Sequence, residues 1–431
     1  MSFQQQVIQG LIWRGMYFLT VLLINIFVSR YFEAENAGWI FYFCNNLSLL
    51  MLIAGLTMEN AVNYYGSNGQ INRNSLAWFS LIWSLVVSII VGLFLVIYYT
   101  WIHTVTTEQR NDYLFYSLCY IAGIQLTSLF TVQFYSLKNF IVPNVLMILL
   151  NMLLILSIPK KQTIAQTGSG FSVDIYFAYF LATGVLLAGG FLVYNKSWQQ
   201  VSLPTWPEYR KLFKYALPAL GANLVFFLVY RVDYWFVEKF NSDAALGNYI
   251  QVSKLAQMLL IIPAIVSSVV FPHTASGSER STIKDNILRI GRFTSVGYVV
   301  LFCLVLIAGK WLFPFVFGKT YDLMYVPFLF ILPGIWALSN LTVLSAYFGG
   351  INKVSVNLKG AVLALVLILV LDVIFIPKHG IIAAAMISSA GYMVNFLYSF
   401  VHMRKEHGIA FKDYWTIKKG DIQWLRSLTQ S

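Results

Sequence analysis

The sequence predicts an all-α polytopic membrane protein with about 12 transmembrane helices in two six-helix lobes. Three observations predict this class. Of the 431 residues, 58% are hydrophobic and only 11% charged, whereas a soluble domain carries about 25% charge; too few polar residues remain to cover a surface in water. The apolar residues fall in runs of about 20, the length that spans hydrocarbon as a helix. The runs lack the ten-residue alternation of a transmembrane barrel, and helices satisfy their own backbone groups in lipid. Intrinsic disorder, coiled coil, a disulfide-rich secreted domain and a soluble nucleotide-binding enzyme are excluded together. The three cysteines, Cys44, Cys119 and Cys303, lie in apolar runs and make no disulfide framework.

The elements follow in chain order. The opening MSFQQQVIQG lacks the basic start and small-residue cleavage site of a signal peptide, so the first apolar run is expected to stay. The spans are predicted at roughly 9–29, 37–58, 76–100, 113–135, 140–158, 174–194, 213–235, 246–270, 290–310, 325–347, 357–376 and 380–402. The runs Ser75 to Trp101 and Met324 to Gly350 contain no Lys, Arg, Asp or Glu. The domains read as an N-terminal lobe over 1–200, a C-terminal lobe over 201–403 and a cytoplasmic tail over 404–431. That tail mixes Lys418, Lys419 and Arg426 with Ile417, Ile422, Trp424 and Leu425, which suits an amphipathic segment on an anionic leaflet or a disordered one. Pro143, Pro218, Pro263, Pro327 and Pro333 fall in or beside spans, where they kink helices.

Basic residues orient the spans. With both termini on one side, nineteen of the 29 Lys and Arg lie on that side, nine on the other and Lys254 within a span. Positive charge stays inside, so both termini are expected in the cytoplasm. The formal net charge of +12 is explained by this bias, and nucleic acid is not an expected partner.

The halves echo one another at a shift of 209 residues. Phe27-Val28-Ser29-Arg30-Tyr31 meets Phe236-Val237-Glu238-Lys239-Phe240, and Gly38 meets Gly247. A second echo relates Ile158-Pro159-Lys160 to Ile376-Pro377-Lys378 at the ends of the fifth and eleventh spans. Six spans per half is even, so the repeats would be parallel, as in transporters with a substrate path between lobes.

Ionisable groups inside spans cost roughly 2.5–3.5 kcal/mol on insertion scales and so mark candidate sites. Arg14 and Glu59 lie near the cytoplasmic ends of the first two helices, at similar depth, where they could pair. Arg231 and Asp233 are two apart and cannot face one another on a helix; Lys254, two turns into the eighth span, is the expected partner of Asp233 or faces a polar lumen. Lys359 and Asp372 sit near opposite ends of the eleventh span. Arg14, Arg231, Lys254 and Lys359 are therefore lumen candidates for an anionic substrate, and Glu59, Asp233 and Asp372 candidates for ion coupling or charge pairing.

Catalytic chemistry is not visible. His103, His273, His379, His402 and His407 are scattered without ligand spacing, no phosphate-binding Gly-rich loop precedes a Lys, and no nucleophile motif appears. No catalytic residue, metal or cofactor is expected; transport would run on a gradient.

The late segment Gly349-Gly350-Ile351-Asn352-Lys353, a long apolar helix, and then Phe375-Ile376-Pro377-Lys378-His379-Gly380-Ile381-Ile382-Ala383-Ala384-Ala385 resembles the last helices of polysaccharide flippases. Asp233 through Gly247-Asn248-Tyr249 to Pro272 is similar to that family's seventh and eighth helices, and Gly10 to Gly38 with Arg30-Tyr31-Phe32 to its first pair. The likeness runs over roughly residues 8–402. It implies a lipid-linked oligosaccharide flippase of the Wzx type, in the multidrug/oligosaccharidyl-lipid/polysaccharide exporter superfamily. By that resemblance the substrate is an undecaprenyl-diphosphate-linked repeat unit for O-antigen, capsule or exopolysaccharide. The site of action is the bacterial inner membrane, and the fold is two lobes about a cationic cavity. Membrane lipids and the polysaccharide polymerase machinery are the implied partners. The sequence departs from the pattern at Ile24, which faces Asp233 in the repeat without a matching acid, and at Asp372, where Asn is commoner. Two rivals are a multidrug or cation antiporter of the same superfamily, which should carry more membrane acids, and a membrane-embedded polysaccharide polymerase or ligase, which should carry a large outer loop.

Overall fold

The computed structural model of the chain describes residues 3–159, 171–275, 280–417 and 421. Among the described residues the structure is helical, without strands. The helices are α1 (Phe3–Gly55), α2 (Met58–Asn68), α3 (Arg73–Ile97), α4 (Thr107–Ser136), α5 (Ile141–Ser157), α6 (Val173–Tyr194), α7 (Trp206–Arg231), α8 (Asp233–Phe240), α9 (Asp243–Met258), α10 (Ile261–Ala275), α11 (Arg280–Phe317), α12 (Tyr325–Gly350) and α13 (Val354–His407). Eight stretches among them are long and apolar enough to cross a membrane. Each of the twelve spans read from the sequence falls on one helix, on one limb of a bent helix, or on an abutting pair. α1 and α13 each carry two spans, broken at Glu33 (φ 64°, ψ 177°) and Gly380 (φ 59°, ψ −144°). The seventh span is shared by α7 and α8, the eighth by α9 and α10.

Helix starts follow from local chemistry. Asn72 accepts from the Asn74 amide at 2.8 Å ahead of α3, Thr106 and Gln109 form a capping box ahead of α4, and Ser172 and Ser242 cap α6 and α9. Such side-chain acceptors satisfy amides that the helix itself leaves unpaired.

The chain divides into two compact units. One comprises residues 1–32 and 40–224. In it α4 and α6 cross closely because Gly123 and Gly184 lack side chains: a Cβ on Gly184 would lie 2.9 Å from Cα of Gly123. Small residues at crossings let backbones approach in lipid, where packing replaces the hydrophobic effect. Phe130, Phe134, Leu187 and Phe191 fill the adjoining core. At one end of this unit Ser75 and Ser202 hydrogen bond at 2.8 Å, and the Trp78 indole donates to the Ser197 carbonyl at 3.1 Å, tying the start of α3 to the segment between α6 and α7.

The other unit comprises residues 33–39 and 225–431. The short stretch 33–39 of α1 thus packs with the later part of the chain. There Gly38 and Gly247, equivalent in the 209-residue repeat, meet face to face: a Cβ on Gly38 would stand 2.6 Å from the Gly247 Cα. The Ala34 amide donates to Thr320 Oγ1 at 3.1 Å, and the Asn248 side chain donates to the Thr320 carbonyl at 3.0 Å. α13 folds back on α12 with Gly334 against Ser389, and its own limbs pack through Gly360 against Asn395 and Gly391 against Ile368.

The segment after α13 differs from a free or surface-lying tail. Ile409 and Tyr414 are buried, and Trp415 stacks on Trp336 of α12 at 4.9 Å. Its aromatic residues find a groove already lined by Trp336, Phe396 and Phe400, a surface that its own sequence pattern does not reveal. Lys418, Lys419, Ile422, Trp424, Leu425 and Arg426 lie outside the described residues.

Candidate functional site

The break between α7 and α8 falls on Val232 and separates Arg231, the last residue of α7, from Asp233, the first of α8. Both belong to the second unit, and their side chains part as the two-residue spacing requires. Arg231 Nη1 donates to the Tyr234 hydroxyl at 2.7 Å and Nη2 to Gln257 Oε1 of α9 at 2.9 Å, with the guanidinium 5.2 Å above the Tyr234 ring. The guanidinium is thus held by a phenol, an amide and a ring face, and it also acts electrostatically on Asp233.

Asp233 turns inward and is 2% exposed. Its Oδ2 accepts from the Tyr249 hydroxyl of α9 and from Ser388 Oγ of α13 at 2.7 Å, and Oδ1 has no hydrogen-bond partner. Tyr249 therefore fills the place expected for Lys254. Lys254 is half-buried on the same helix and is not a partner of Asp233; five positions on from Tyr249, it points about 140° around the helix from it.

Asp372, on the first limb of α13, is fully buried, and neither of its oxygens has a hydrogen-bond partner. It stands close enough to Asp233 for the two carboxyl groups to interact electrostatically. The bend at Gly380 brings about this meeting: the first limb carries Asp372 and the second carries Ser388, and both reach α8 and α9. Gly380 has a left-handed φ beside the Asn241 side chain that ends α8, a backbone conformation that favours glycine. The rings of Tyr230 and Tyr392 lie 5.8 Å apart in the same unit. The result is a buried cluster with two carboxyl groups, several hydroxyls and three carboxylate oxygens without donors. Among the described residues no cluster of three or more His, Cys, Asp or Glu is placed to hold a metal.

The first unit holds the other candidates. Arg14 is exposed on α1 with its guanidinium 5.6 Å from the Tyr135 ring centroid. It does not pair with Glu59, which is half-buried in the first turn of α2. The left-handed turn at Leu56 and Thr57 separates α2 from α1. Above Arg14 a polar track continues: Asn144 donates to the Tyr135 hydroxyl at 3.1 Å, Asn151 donates to Thr20 Oγ1 at 2.6 Å, and the Tyr179 hydroxyl donates to Asn151. Lys359 is exposed near the start of α13, away from the buried pair.

Sequence reasoning picked out Asp233, Asp372 and Arg231 but not Tyr249, Gln257 or Ser388 as their partners. One signal was available. Ser388, Ser389, Tyr392, Asn395 and Ser399 recur at helical spacing in the last span, and all are buried. Such a polar stripe in an apolar helix faces protein rather than lipid.

Over residues 161–326 the chain matches the model of a family described as polysaccharide biosynthesis protein. The matched stretch holds Arg231, Asp233, Tyr249, Lys254 and Gln257. The fold is shared with solved structures of a lipid II flippase and of MATE transporters. The lipid II flippase MurJ in an inward closed conformation superposes with a TM-score of 0.70 at 15% identity, covering 98% of this chain and 93% of that one. The Vibrio cholerae MATE transporter VcmN in its bent form gives 0.62 at 12% identity over 96% and 98%. A superfamily transporter from Pyrococcus furiosus, reported for the reversed polarity of its binding pocket, gives 0.60 at 16% identity over 93% and 94%. No curated protein matches the chain in sequence. These structural neighbours are transporters and flippases rather than enzymes.

Proposed function

We propose that this protein is a flippase that moves lipid-linked oligosaccharide repeat units, carried on undecaprenyl diphosphate, from the cytoplasmic to the outer face of a bacterial inner membrane for surface polysaccharide assembly. Both termini lie in the cytoplasm, and the polymerase machinery receives the product. The observation that carries this reading is the coincidence of the polysaccharide-family match with the stretch holding Arg231, Asp233 and Lys254. A diphosphate with sugars cannot cross about 30 Å of hydrocarbon unaided, while its prenyl chain can remain in lipid. Arg14, Arg231, Lys254 and Lys359 attract the diphosphate, and the hydroxyl and amide groups of Thr20, Tyr135, Asn144, Asn151 and Tyr179 offer exchangeable hydrogen bonds to sugars.

The Asp233–Asp372 cluster serves coupling. Two buried carboxyl groups without a bonded cation are costly, and a proton or monovalent cation on their free oxygens relieves that cost. Loading and unloading that cation changes how α8, α9 and the two limbs of α13 pack, which is what alternation between states requires. Glu59 takes part only through the charge of the α2 end.

The test is a strain lacking the protein in which lipid-linked units are located by leaflet. Units trapped as single repeats on the cytoplasmic leaflet are expected. Single units displayed outside but unpolymerised would assign the chain to polymerisation. Normal glycan with altered drug tolerance would favour the antiporter, a reading to which the buried acid pair lends itself.

A further inference from the structure

The chain after α13 packs against α11 about three turns from its start, and Ile409, Tyr414 and Asp421 are buried there. Tyr414 is 1% exposed and lies against Gly291 of α11, where a Cβ would come within 2.6 Å of the ring. Phe411 and Trp415 rest on Trp336, and Tyr414 touches Phe396 and Phe400. This strap, described over residues 409–417 and at 421, delivers one carboxylate. Asp421 is 2% exposed, and its two oxygens accept from Arg292 Nε and Nη2, each at 2.7 Å, in a two-pronged fork; Arg289 Nε adds a third contact at 3.2 Å. The last Arg292 nitrogen, Nη1, donates to the Asp413 carbonyl, also in the strap, at 3.2 Å.

Every hydrogen bond of the Arg292 guanidinium thus runs to the strap and none to the helices around it. Arg292 is 4% exposed and lies in a helix long and apolar enough to cross a membrane. A buried guanidinium stripped of its anion is strongly unfavourable, so whenever the strap lifts another anion must enter. The groups present select its chemistry. Two guanidinium groups, one of them presenting parallel N–H donors, match the oxygens of a phosphate as well as those of a carboxylate, and phosphate-bearing head groups line both faces of any phospholipid bilayer.

We propose that Arg289 and Arg292 form a phosphate-binding site, with the strap occupying it in cis through Asp421. The carboxylate stands in for the phosphate, and the strap is an intramolecular ligand whose release opens the site. This is independent of the flippase reading, since it concerns the first half of α11 and makes no use of Asp233 or Asp372.

The test uses the full-length protein. Asp421→Asn, purified in detergent, is expected to melt below wild type and to regain the loss on addition of low-millimolar inorganic phosphate, but not of chloride at equal ionic strength. Wild type should not respond at that concentration, because a tethered carboxylate acts at an effective concentration in about the millimolar range or above. Adding Arg292→Gln to Asp421→Asn should abolish the response. A second arm places the variant in nanodiscs of phosphatidylcholine with and without phosphatidylglycerol. Recovery by free phosphate identifies a site open to the soluble anion, and recovery only with phosphatidylglycerol identifies the lipid head group; either supports the site. No recovery in either arm, or the same recovery with Arg292→Gln present, overturns it. If Asp421→Asn does not accumulate, amide exchange of 409–417 in wild type is followed as phosphate is raised about a hundredfold further, where competition should speed exchange roughly tenfold. Unchanged exchange there would also overturn it.

Discussion

Gly247→Ala is the substitution for which the structure gives the sharpest expectation. In an open helix interior, replacing Gly by Ala gains about 0.5–1 kcal/mol from the smaller entropy lost on folding. At Gly247 the new Cβ would collide with the carbonyl oxygen of Ala34, and would lie 2.7 Å from its carbonyl carbon and 3.2 Å from the Gly38 Cα. These obstacles are backbone atoms, so no rotamer change can relieve them. The stretch 33–39 must move off α9, straining the Ala34–Thr320 and Asn248–Thr320 hydrogen bonds nearby. Overpacking of this kind costs about 1–3 kcal/mol, which outweighs the helix gain. Gly221→Ala is the control, because its Cβ would meet nothing within 4 Å. Melting of the two variants and wild type, compared at one scan rate in one detergent because membrane proteins often unfold irreversibly, should place Gly247→Ala a few degrees below wild type and Gly221→Ala level with it or above. Gly38→Ala should behave like Gly247→Ala, and the double variant should lose less than the sum, since one displacement relieves both. A Gly247→Ala protein melting at or above wild type would refute the close crossing.

Other expectations follow from the same geometry. Ser388→Ala removes one of two donors to Asp233 and should cost about 1 kcal/mol or slightly more, read as a lower melting point; Ser388→Thr should keep most of it. Asp372→Asn should leave expression and membrane insertion intact while abolishing any dependence of transport on the coupling cation, measured as flux against its gradient in proteoliposomes; unchanged coupling would remove Asp372 from that role. Arg231→Lys keeps the charge but cannot reach Tyr234 and Gln257 together, so transport should fall severalfold, with Arg231→Gln lower still. Neutralising Lys254 or Arg14 should impair translocation with insertion unaffected, and wild-type flux from both would remove the cationic path from the mechanism.

The sequence alone was enough to show that this chain is a membrane protein, that its elements are helices, and roughly where the apolar core of each span lies, though α11 starts ten residues ahead of its predicted span and the breaks inside the seventh and eighth spans were not visible. Those properties rest on composition and run length, both local along the chain. It also marked Asp233, Asp372 and Arg231, because an ionisable group in an apolar run is conspicuous whatever surrounds it, and it paired Gly38 with Gly247 in register. What those groups touch became visible with the fold. Asp233 takes Tyr249 and Ser388 rather than Lys254, Arg14 takes the Tyr135 ring rather than Glu59, and the segment after α13 settles on Trp336 and Arg292 rather than standing apart. A hydrogen bond between residues 155 positions apart, such as Ser388 to Asp233, depends on which helix faces meet. That is set by close contacts between small residues and by two sharp breaks, at Glu33 and Gly380, whose consequences for packing are spread over the whole chain.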